Sequence, residues 1–303
     1  SMSYFILQEI EFKVNPNNLK LSFIENNNIN KNDNLNPSLR EYLNKSKTNI
    51  SKYNDKWNNF KKYTYPYEFI HSTIPDLNCS ISKLSPISRA FYKLVEIYSN
   101  NNLLNYNRPI NTFHLAEGPG GFIEATDYLR NNQNDKYYGM TLINKNTNIP
   151  NWHKMKNLLK KNPNIKIELG VDNKGDLFNH KNLCYCNKNF KNNMDIITAD
   201  GGFDFSVDFN NQERNAFRLI LTQIAYALCM QKKGGSFVLK VFDIFNKSTF
   251  QSIYLLSSFY SKVIITKPYT SRYANSEKYI ICKNFKGIDD DLLNNLIEKY
   301  KNF

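Results

Sequence analysis

The sequence predicts an α/β domain in which a mostly parallel sheet carries helices on both faces. Two observations predict this class. From about residue 85 onward, short apolar runs typical of strands alternate with longer segments whose apolar residues recur at helical spacing. Within this alternation, a glycine turn over residues 117–121 joins an apolar run to a helical segment, and glycine permits the close backbone approach that such a turn requires.

The first 64 residues do not share this alternation. They are rich in asparagine and lysine, most of all over residues 26–28 and 30–36. Because they lack apolar periodicity, we expect loops or a mobile extension around short elements such as residues 4–12.

The elements after residue 85 follow one another regularly. Pro86 suits the first turn of a helix, and the apolar run that precedes Asp200 suits a buried parallel strand. Gly234 and Gly235 end the longest helical segment. The predicted helices cover residues 87–98, 122–129, 152–159, 213–231 and 249–260. The predicted strands cover residues 110–115, 137–143, 165–171, 194–199, 236–242, 263–267 and 278–282.

The composition favours a polyanionic partner. Lysine and arginine number 40 against 27 acids, a net charge of +13, which suits nucleic acid, although such charge can also merely keep a protein dispersed. Without an apolar run of about 18 residues or a signal peptide, we expect no membrane contact and an intracellular location. Five unpatterned cysteines fit a reducing compartment and no metal site.

Four charged residues stand within or beside apolar sequence: Lys93, Asp200, Lys240 and Glu277. Ligands of open α/β sheets bind at the carboxyl ends of the strands, where the glycine turn, Asp200 and Lys240 are all predicted to lie. A buried lysine such as Lys240 needs a carboxylate partner or a lowered pKa. Taken singly, Lys240 is more typical of an edge-strand lysine that points to solvent, and Glu277 of an acid at the end of a strand.

Five motifs occur in a fixed order along the chain. They are residues 88–94 (SRAFYKL), 118–122 (GPGGF), 199–202 (ADGG), 240–243 (KVFD) and 275–279 (NSEKY). Together they resemble the motifs of the FtsJ-like RNA ribose 2′-O-methyltransferases, a family with a Lys-Asp-Lys-Glu tetrad. Within that family the similarity is greatest to the cap-specific mRNA enzymes.

Three features favour the cap-specific branch. Residues 139–142 (GMTL) stand where ribosomal RNA enzymes usually carry an acid, residues 267–272 precede the last motif, and residues 65–68 (YPYE) resemble a cap-enzyme element. The resemblance divides the chain into an Asn/Lys-rich extension over residues 1–64, a methyltransferase domain over residues 65–286 and a helical tail over residues 287–303.

The resemblance implies a Rossmann-like class I methyltransferase fold with a seven-stranded sheet, and S-adenosylmethionine as cofactor. The glycine turn would hold the methionine end, whereas Asp176 would lie beside the adenine with Leu177 packed on the ring. Ser88 stands where cap-specific enzymes tend to have asparagine. The implied cofactor residues are Ser88, Ala116, Glu117, Gly118, Pro119, Gly120, Gly121, Phe122, Asp176, Leu177 and Asp200.

The resemblance also implies the chemistry. Lys93, Asp200, Lys240 and Glu277 would be catalytic, with Lys240 as the general base for a ribose 2′-hydroxyl. Lys93 would favour the neutral form of Lys240, whereas the two carboxylates would orient it and oppose that effect. The sequence leaves open which lysine is neutral, and the displacement requires no metal.

We expect the 5′ end of capped mRNA as the substrate, other capping enzymes as partners and a monomeric chain. The RNA would contact Arg89, Lys267, Ser271 and Arg272, and residues 65–68 have the aromatic and acidic composition that suits a methylated guanine. A viral protein would act in the infected cytoplasm or the virion, and a cellular one in the nucleus. Two alternatives remain: a ribosomal or transfer RNA ribose methyltransferase, and an inactive RNA-binding accessory subunit.

Overall fold

The computed structural model describes residues 3–7, 34–143, 152–202 and 212–301. The part of the predicted element at residues 4–12 that follows Leu7 lies outside the described residues. So do the asparagine-rich residues 26–28 and 30–33.

One sheet of eight strands forms the centre of the described structure. Its strand order is β1-β7-β8-β6-β5-β2-β3-β4. The strands are β1 (Ser3–Leu7), β2 (Asn111–Leu115), β3 (Lys136–Met140), β4 (Ile165–Ile167), β5 (Met194–Ala199), β6 (Gln231–Val241), β7 (Tyr260–Lys267) and β8 (Lys278–Phe285). Strands β6, β5, β2, β3 and β4 pair in parallel, whereas β8 is antiparallel to both of its neighbours and β1 is antiparallel to β7.

The α/β class is confirmed, but the sheet is mixed, with four parallel and three antiparallel pairings of described strands, and the count of seven strands is wrong. The eighth strand is β1, which comes from the segment interpreted as an extension and pairs with β7 from Ser3 opposite Lys267 to Leu7 opposite Val263. The sequence of a single strand does not show which distant strand it pairs with, so the position of β1 in the sheet could not be predicted from residues 3–7 alone.

The helices that accompany the sheet are α1 (Pro37–Thr48), α2 (Asn54–Tyr63), α3 (Ala90–Asn101), α4 (Gly121–Arg130), α5 (Lys156–Lys161), α6 (His180–Phe190), α7 (Gln212–Met230), α8 (Lys247–Phe259) and α9 (Asp290–Tyr300). Short 3-10 segments lie at Asn49–Tyr53, Glu68–Ile70 and Trp152–Met155. The described helices are not long and apolar enough to cross a membrane.

Two predictions about helices are wrong. Residues 37–63 contain α1 and α2 where loops were expected, and the Asn36 side chain caps α1 by accepting from the Leu39 N–H at 3.1 Å. The first helix of the large domain begins at Ala90, later than residue 87. The preceding backbone is engaged elsewhere, because the Ile87 N–H donates to the Glu124 carboxylate at 2.6 Å.

Two apolar layers cover the sheet. Helices α3 and α4 pack on one face, and α6, α7, α8 and α9 pack on the other. The segment predicted as a helical tail contains α9, which is part of this core, since Leu293 and Leu296 are buried. Both layers rest on β5, which is buried along its whole length.

The register of β2, β5 and β6 places three residues side by side at the carboxyl edge of the sheet. Leu115 of β2 pairs with Ala199 of β5, which in turn pairs with Leu239 of β6. The next residues, Ala116, Asp200 and Lys240, therefore stand in a row at the carboxyl edge of the sheet. Glu277 reaches the same edge because it precedes β8, which runs in the opposite direction.

Candidate active site

The glycine turn brings the starts of α3 and α4 into contact. A side chain at Gly121 would collide with Ser88 Oγ, and its Cβ would lie 3.2 Å from both Ala90 Cβ and the Phe91 backbone nitrogen. Only a residue without a Cβ permits this approach. Lys93, one turn into α3, is thereby held at the carboxyl edge of the sheet.

The structure brings the four charged residues together. Lys93 Nζ donates to both carboxylate oxygens of Glu277 at 3.0 Å. Lys240 Nζ lies 3.3 Å from Asp200 Oδ1 and 3.8 Å from Glu277 Oε2, and it donates to the Asp200 carbonyl at 2.8 Å. We call Lys93, Asp200, Lys240 and Glu277 the charge cluster. Its side chains are only 10% to 15% exposed, so solvent screens them weakly.

In Glu277 and Lys93, the effect of burial on the pKa is outweighed by the opposite charges of the cluster. Burial alone would raise the pKa of Glu277, but Lys93, Lys240 and the Ser271 hydroxyl lower it to about 2. Burial alone would lower the pKa of Lys93, yet Glu277 and Asp200 outweigh burial and raise it. Glu277 and Lys93 are therefore an ion pair at neutral pH.

Lys240 lies closer to Asp200 than to Glu277. A Cβ at Gly202 would lie 3.2 Å from Lys240 Nζ, so the glycine leaves room for the ammonium group. Asp200 is oriented in turn by the Tyr279 hydroxyl, which donates to Asp200 Oδ1 at 2.8 Å. Sequence reasoning missed Tyr279, although its position two residues after Glu277 is a signal, since alternate residues of an extended segment share a face.

Glu117 stabilises the glycine turn from within. Its carboxylate accepts from the Phe122 and Ile123 N–H groups, both at 2.8 Å, at the start of α4. Burial raises the pKa of Glu117 well above its usual range, the two N–H bonds oppose the shift and nearby Asp200 adds to it. The residue before it, Ala116, has φ +53°, a left-handed backbone conformation that L-residues rarely adopt.

The other predicted cofactor residues lie at the same edge or close to it. The Ser88 hydroxyl oxygen is buried against Gly121 and has no hydrogen-bond partner among the described residues. Gly175 packs against the Thr141 carbonyl beyond β3, which brings the loop carrying Asp176 and Leu177 to the end of that strand. Asp176 Oδ1 accepts from the Phe178 N–H at 2.9 Å. The contact of Asp176 and Leu177 with an adenine stays a prediction.

Two of the four residues predicted to contact RNA bind other residues of the protein, Ser271 being buried and Lys267 half-buried. Ser271 is 1% exposed and donates to Glu277 Oε1 at 2.8 Å, so it supports the charge cluster rather than the surface. Lys267 Nζ donates to Asn275 Oδ1 and to the Glu277 carbonyl, both at 2.8 Å. Burial lowers the pKa of Lys267 to about 8. These residues were predicted to contact phosphates because of their residue types alone. A sequence does not show which polar side chains are buried.

Arg89 and Arg272, the latter in the loop between β7 and β8, both bind Glu68. Arg272 makes a two-point contact with the Glu68 carboxylate at 2.8 and 3.0 Å, and Arg89 donates to the Glu68 carbonyl at 2.7 Å. Tyr65 is 3% exposed and Glu68 is 5% exposed, whereas Tyr67 between them is 36% exposed, so contact of residues 65–68 with a methylated guanine stays a prediction. The side chain of Arg272 is still 52% exposed, and its contact with RNA stays a prediction.

The fold and the charge cluster define a class of protein, the α/β methyltransferases. The family model described as FtsJ-like methyltransferase matches residues 86–285, more than half of the chain, and the chain belongs to this family.

Relatives with assigned functions are similar over much of the chain. It is 33% identical over 240 residues to the cap-specific mRNA (nucleoside-2′-O-)-methyltransferase 1 of Mus musculus, covering 74% of this chain and 28% of the mouse protein. It is 34% identical over 197 residues to the cap-specific mRNA (nucleoside-2′-O-)-methyltransferase of Autographa californica nuclear polyhedrosis virus, covering 65% of this chain and 71% of the viral protein. The chain thus spans little more than a quarter of the mouse relative.

Among solved structures, human methyltransferase-like protein 13 in complex with SAH matches with a TM-score of 0.44 and 8% identity. This match covers 71% of this chain and 90% of the human one.

S-adenosylmethionine is the cofactor of FtsJ-like methyltransferases and hence of this chain. The residues at the carboxyl edge fit it. The unpartnered Ser88 hydroxyl offers a hydrogen bond beside a turn that only glycine can form, and the buried Leu177 offers an apolar surface. Within the described ranges, no group of three or more His, Cys, Asp or Glu residues is arranged to hold a metal ion.

Proposed function

We propose that this chain is an RNA ribose 2′-O-methyltransferase that acts on the 5′ end of capped mRNA. The observation that carries the proposal is the charge cluster beside the glycine turn. In this cluster Asp200 holds the amine nitrogen of Lys240 in a fixed position, where it can accept the proton of a ribose hydroxyl. The names of the mouse and viral relatives support the cap as the distinguishing feature of the substrate.

Bound S-adenosylmethionine would supply an electrophilic methyl group, and the electron pair of the carbon–sulfur bond would remain on its sulfur. The chain aligns a ribose 2′-oxygen with that methyl carbon and removes the 2′ proton as the new oxygen–carbon bond forms. The proton passes to Lys240 Nζ, while Asp200 Oδ1 and the Asp200 carbonyl hold the nitrogen in place. Tyr279 restrains the Asp200 carboxylate throughout.

Lys240 is the better base of the two lysines. Lys93 makes two 3.0 Å bonds to Glu277 and its pKa is raised, so it keeps its proton. Lys240 lies 3.8 Å from Glu277 and is bound to Asp200 instead.

The test is transfer of a radiolabelled methyl group to short RNAs of defined sequence. We expect labelling of capped RNA and loss of label when the acceptor nucleotide is replaced by its 2′-deoxy form, which removes the attacking oxygen. Equal labelling of capped and uncapped RNA would favour a ribosomal or transfer RNA substrate. Donor binding without labelling of any RNA would favour an accessory subunit.

A further inference from the structure

A cleft of about 370 Å³ lies beside the carboxyl edge of the sheet and outside the charge cluster. One wall comes from the N-terminal helical segment, with Lys47, Ile50, Tyr53 and Trp57. The other wall includes Ala274 in the loop between β7 and β8, three residues before Glu277. We call this the aromatic cleft.

The helical segment is attached directly beside the charge cluster. Lys47 Nζ lies 3.1 Å from Asp243, which follows Lys240 by three residues, and Arg40 donates to Asn246 at 2.8 Å. Asp243 is also 3.6 Å from Lys278, the neighbour of Glu277. The aromatic cleft therefore adjoins the segments that carry Lys240 and Glu277.

The wall of the aromatic cleft offers flat apolar surface to solvent. Tyr53 is 54% exposed, and its ring forms a T-shaped pair with Phe60 at a centroid distance of 6.4 Å. Trp57 lies one turn of helix further along the same wall. Nucleobases stack on such side chains whatever their sequence, because every base has a planar π-face.

The charge around the aromatic cleft suits a polyanion. Residues 37–63 contain seven lysines or arginines against two acids, a net charge of +5 within 27 residues. No described residue of α1 is buried, so the charges of this helix lie outside the apolar core, although Lys47 also pairs with Asp243. An apolar peptide or a second copy of this basic chain would gain nothing from them, whereas phosphates that flank a stacked base would.

We propose that the aromatic cleft binds a nucleobase at the 5′ end of the RNA, stacked on Tyr53 and Trp57, while neighbouring lysines meet the phosphates. The inference rests on the proposed function, because it supplies the RNA whose ribose enters the charge cluster. A nucleobase can come from the cap guanosine or from a transcribed nucleotide. The test separates these two sources.

The test measures fluorescence anisotropy of a labelled short RNA in capped form and in 5′-triphosphate form. We expect Tyr53→Leu with Trp57→Leu, which keeps apolar volume but removes both rings, to weaken binding at least about fivefold. Tyr53→Phe with Trp57→Phe restores flat rings and should restore the affinity. A loss confined to capped RNA identifies the cap guanosine, and an equal loss on both RNAs identifies a transcribed base.

The matched control is Tyr63→Leu, since Tyr63 is 88% exposed at the end of α2 and does not line the aromatic cleft. Affinities within twofold of the wild type for the double leucine variant would overturn the inference, as would an equal loss in the Tyr63 control. These binding measurements do not require turnover. A wild-type chain that binds RNA through the aromatic cleft but transfers no methyl group would refute the proposed function alone.

Discussion

At the residue scale, the Ser88 hydroxyl is a polar group at the carboxyl edge that can form a hydrogen bond with the methyl donor. Its oxygen is buried against Gly121 without a hydrogen-bond partner among the described residues. A buried hydroxyl left in this state costs free energy of folding, roughly 1–3 kcal/mol, which a ligand can recover.

Ser88→Ala should therefore leave the midpoint of thermal unfolding unchanged or slightly higher. The same change should weaken S-adenosylmethionine binding by roughly 2- to 10-fold, the value of one hydrogen bond. Calorimetric titration and thermal unfolding measure the two effects, with exposed Ser85→Ala as the matched control. Donor affinity equal to that of the control would exclude a contact between Ser88 and the donor.

The ionised Glu277 carboxylate stabilises the folded chain, and this stabilisation depends on pH. Since its pKa is lowered from 4.5 to about 2 in the folded chain, its contribution to stability is complete above pH 4.5 and is lost as the pH falls towards 2. The unfolding free energy of the wild type should therefore fall relative to that of Glu277→Gln across this interval. At pH 7 the variant should be less stable by roughly 3–5 kcal/mol, because Lys93 is left buried and unpaired.

Denaturant unfolding at several pH values measures this difference. Glu41→Gln, on the exposed surface of α1, serves as the control and should follow the wild type. Parallel stability curves for the wild type and Glu277→Gln between pH 4.5 and 2 would contradict the account of the ion pair.

At the scale of elements, the site depends on the contact between the starts of α3 and α4. Gly121→Ala would push Ser88 and the start of α3 away from the glycine turn, since its Cβ would collide with Ser88 Oγ and crowd Phe91. We expect overpacking to cost roughly 1–3 kcal/mol of unfolding free energy and to weaken donor binding.

Gly234→Ala is the matched control for this change. Gly234 has φ +83° and nothing within 4 Å of an added Cβ, so its substitution strains the backbone without moving a neighbour. Donor affinity measured by calorimetry should fall for Gly121→Ala and not for Gly234→Ala. Equal donor affinities in both variants would show that the α3–α4 contact does not shape the donor site.

The elements also show what the sequence could and could not predict. Strand β5 was predicted with its observed bounds, because a strand buried on both faces is a continuous apolar run. Helix α1 was missed because it is mostly polar and none of its residues is buried. Its start signal was present nevertheless: Asn36 is a capping residue and Pro37 suits the first turn.

At the scale of the whole molecule, the meeting of Lys93, Asp200, Lys240 and Glu277 followed from topology. Asp200 and Lys240 lie at carboxyl ends of parallel strands, and the reversed β8 brings Glu277 to the same edge. The sequence could not show that Lys267 and Ser271 face inward, because burial of a polar residue depends on distant partners such as Glu277. The aromatic cleft could not be predicted from the sequence either, since its walls come from two distant segments, the N-terminal helices and the β7–β8 loop.

The most direct test of the central claim compares methyl transfer to capped RNA by the wild type and by Lys240→Ala. Because a general base typically contributes about 10²-fold or more, we expect the turnover rate to fall at least that far while donor binding is retained. Lys232→Ala, at the opposite end of β6, should keep wild-type turnover. Equal turnover by Lys240→Ala and the wild type would contradict the assignment of the charge cluster as the catalytic centre.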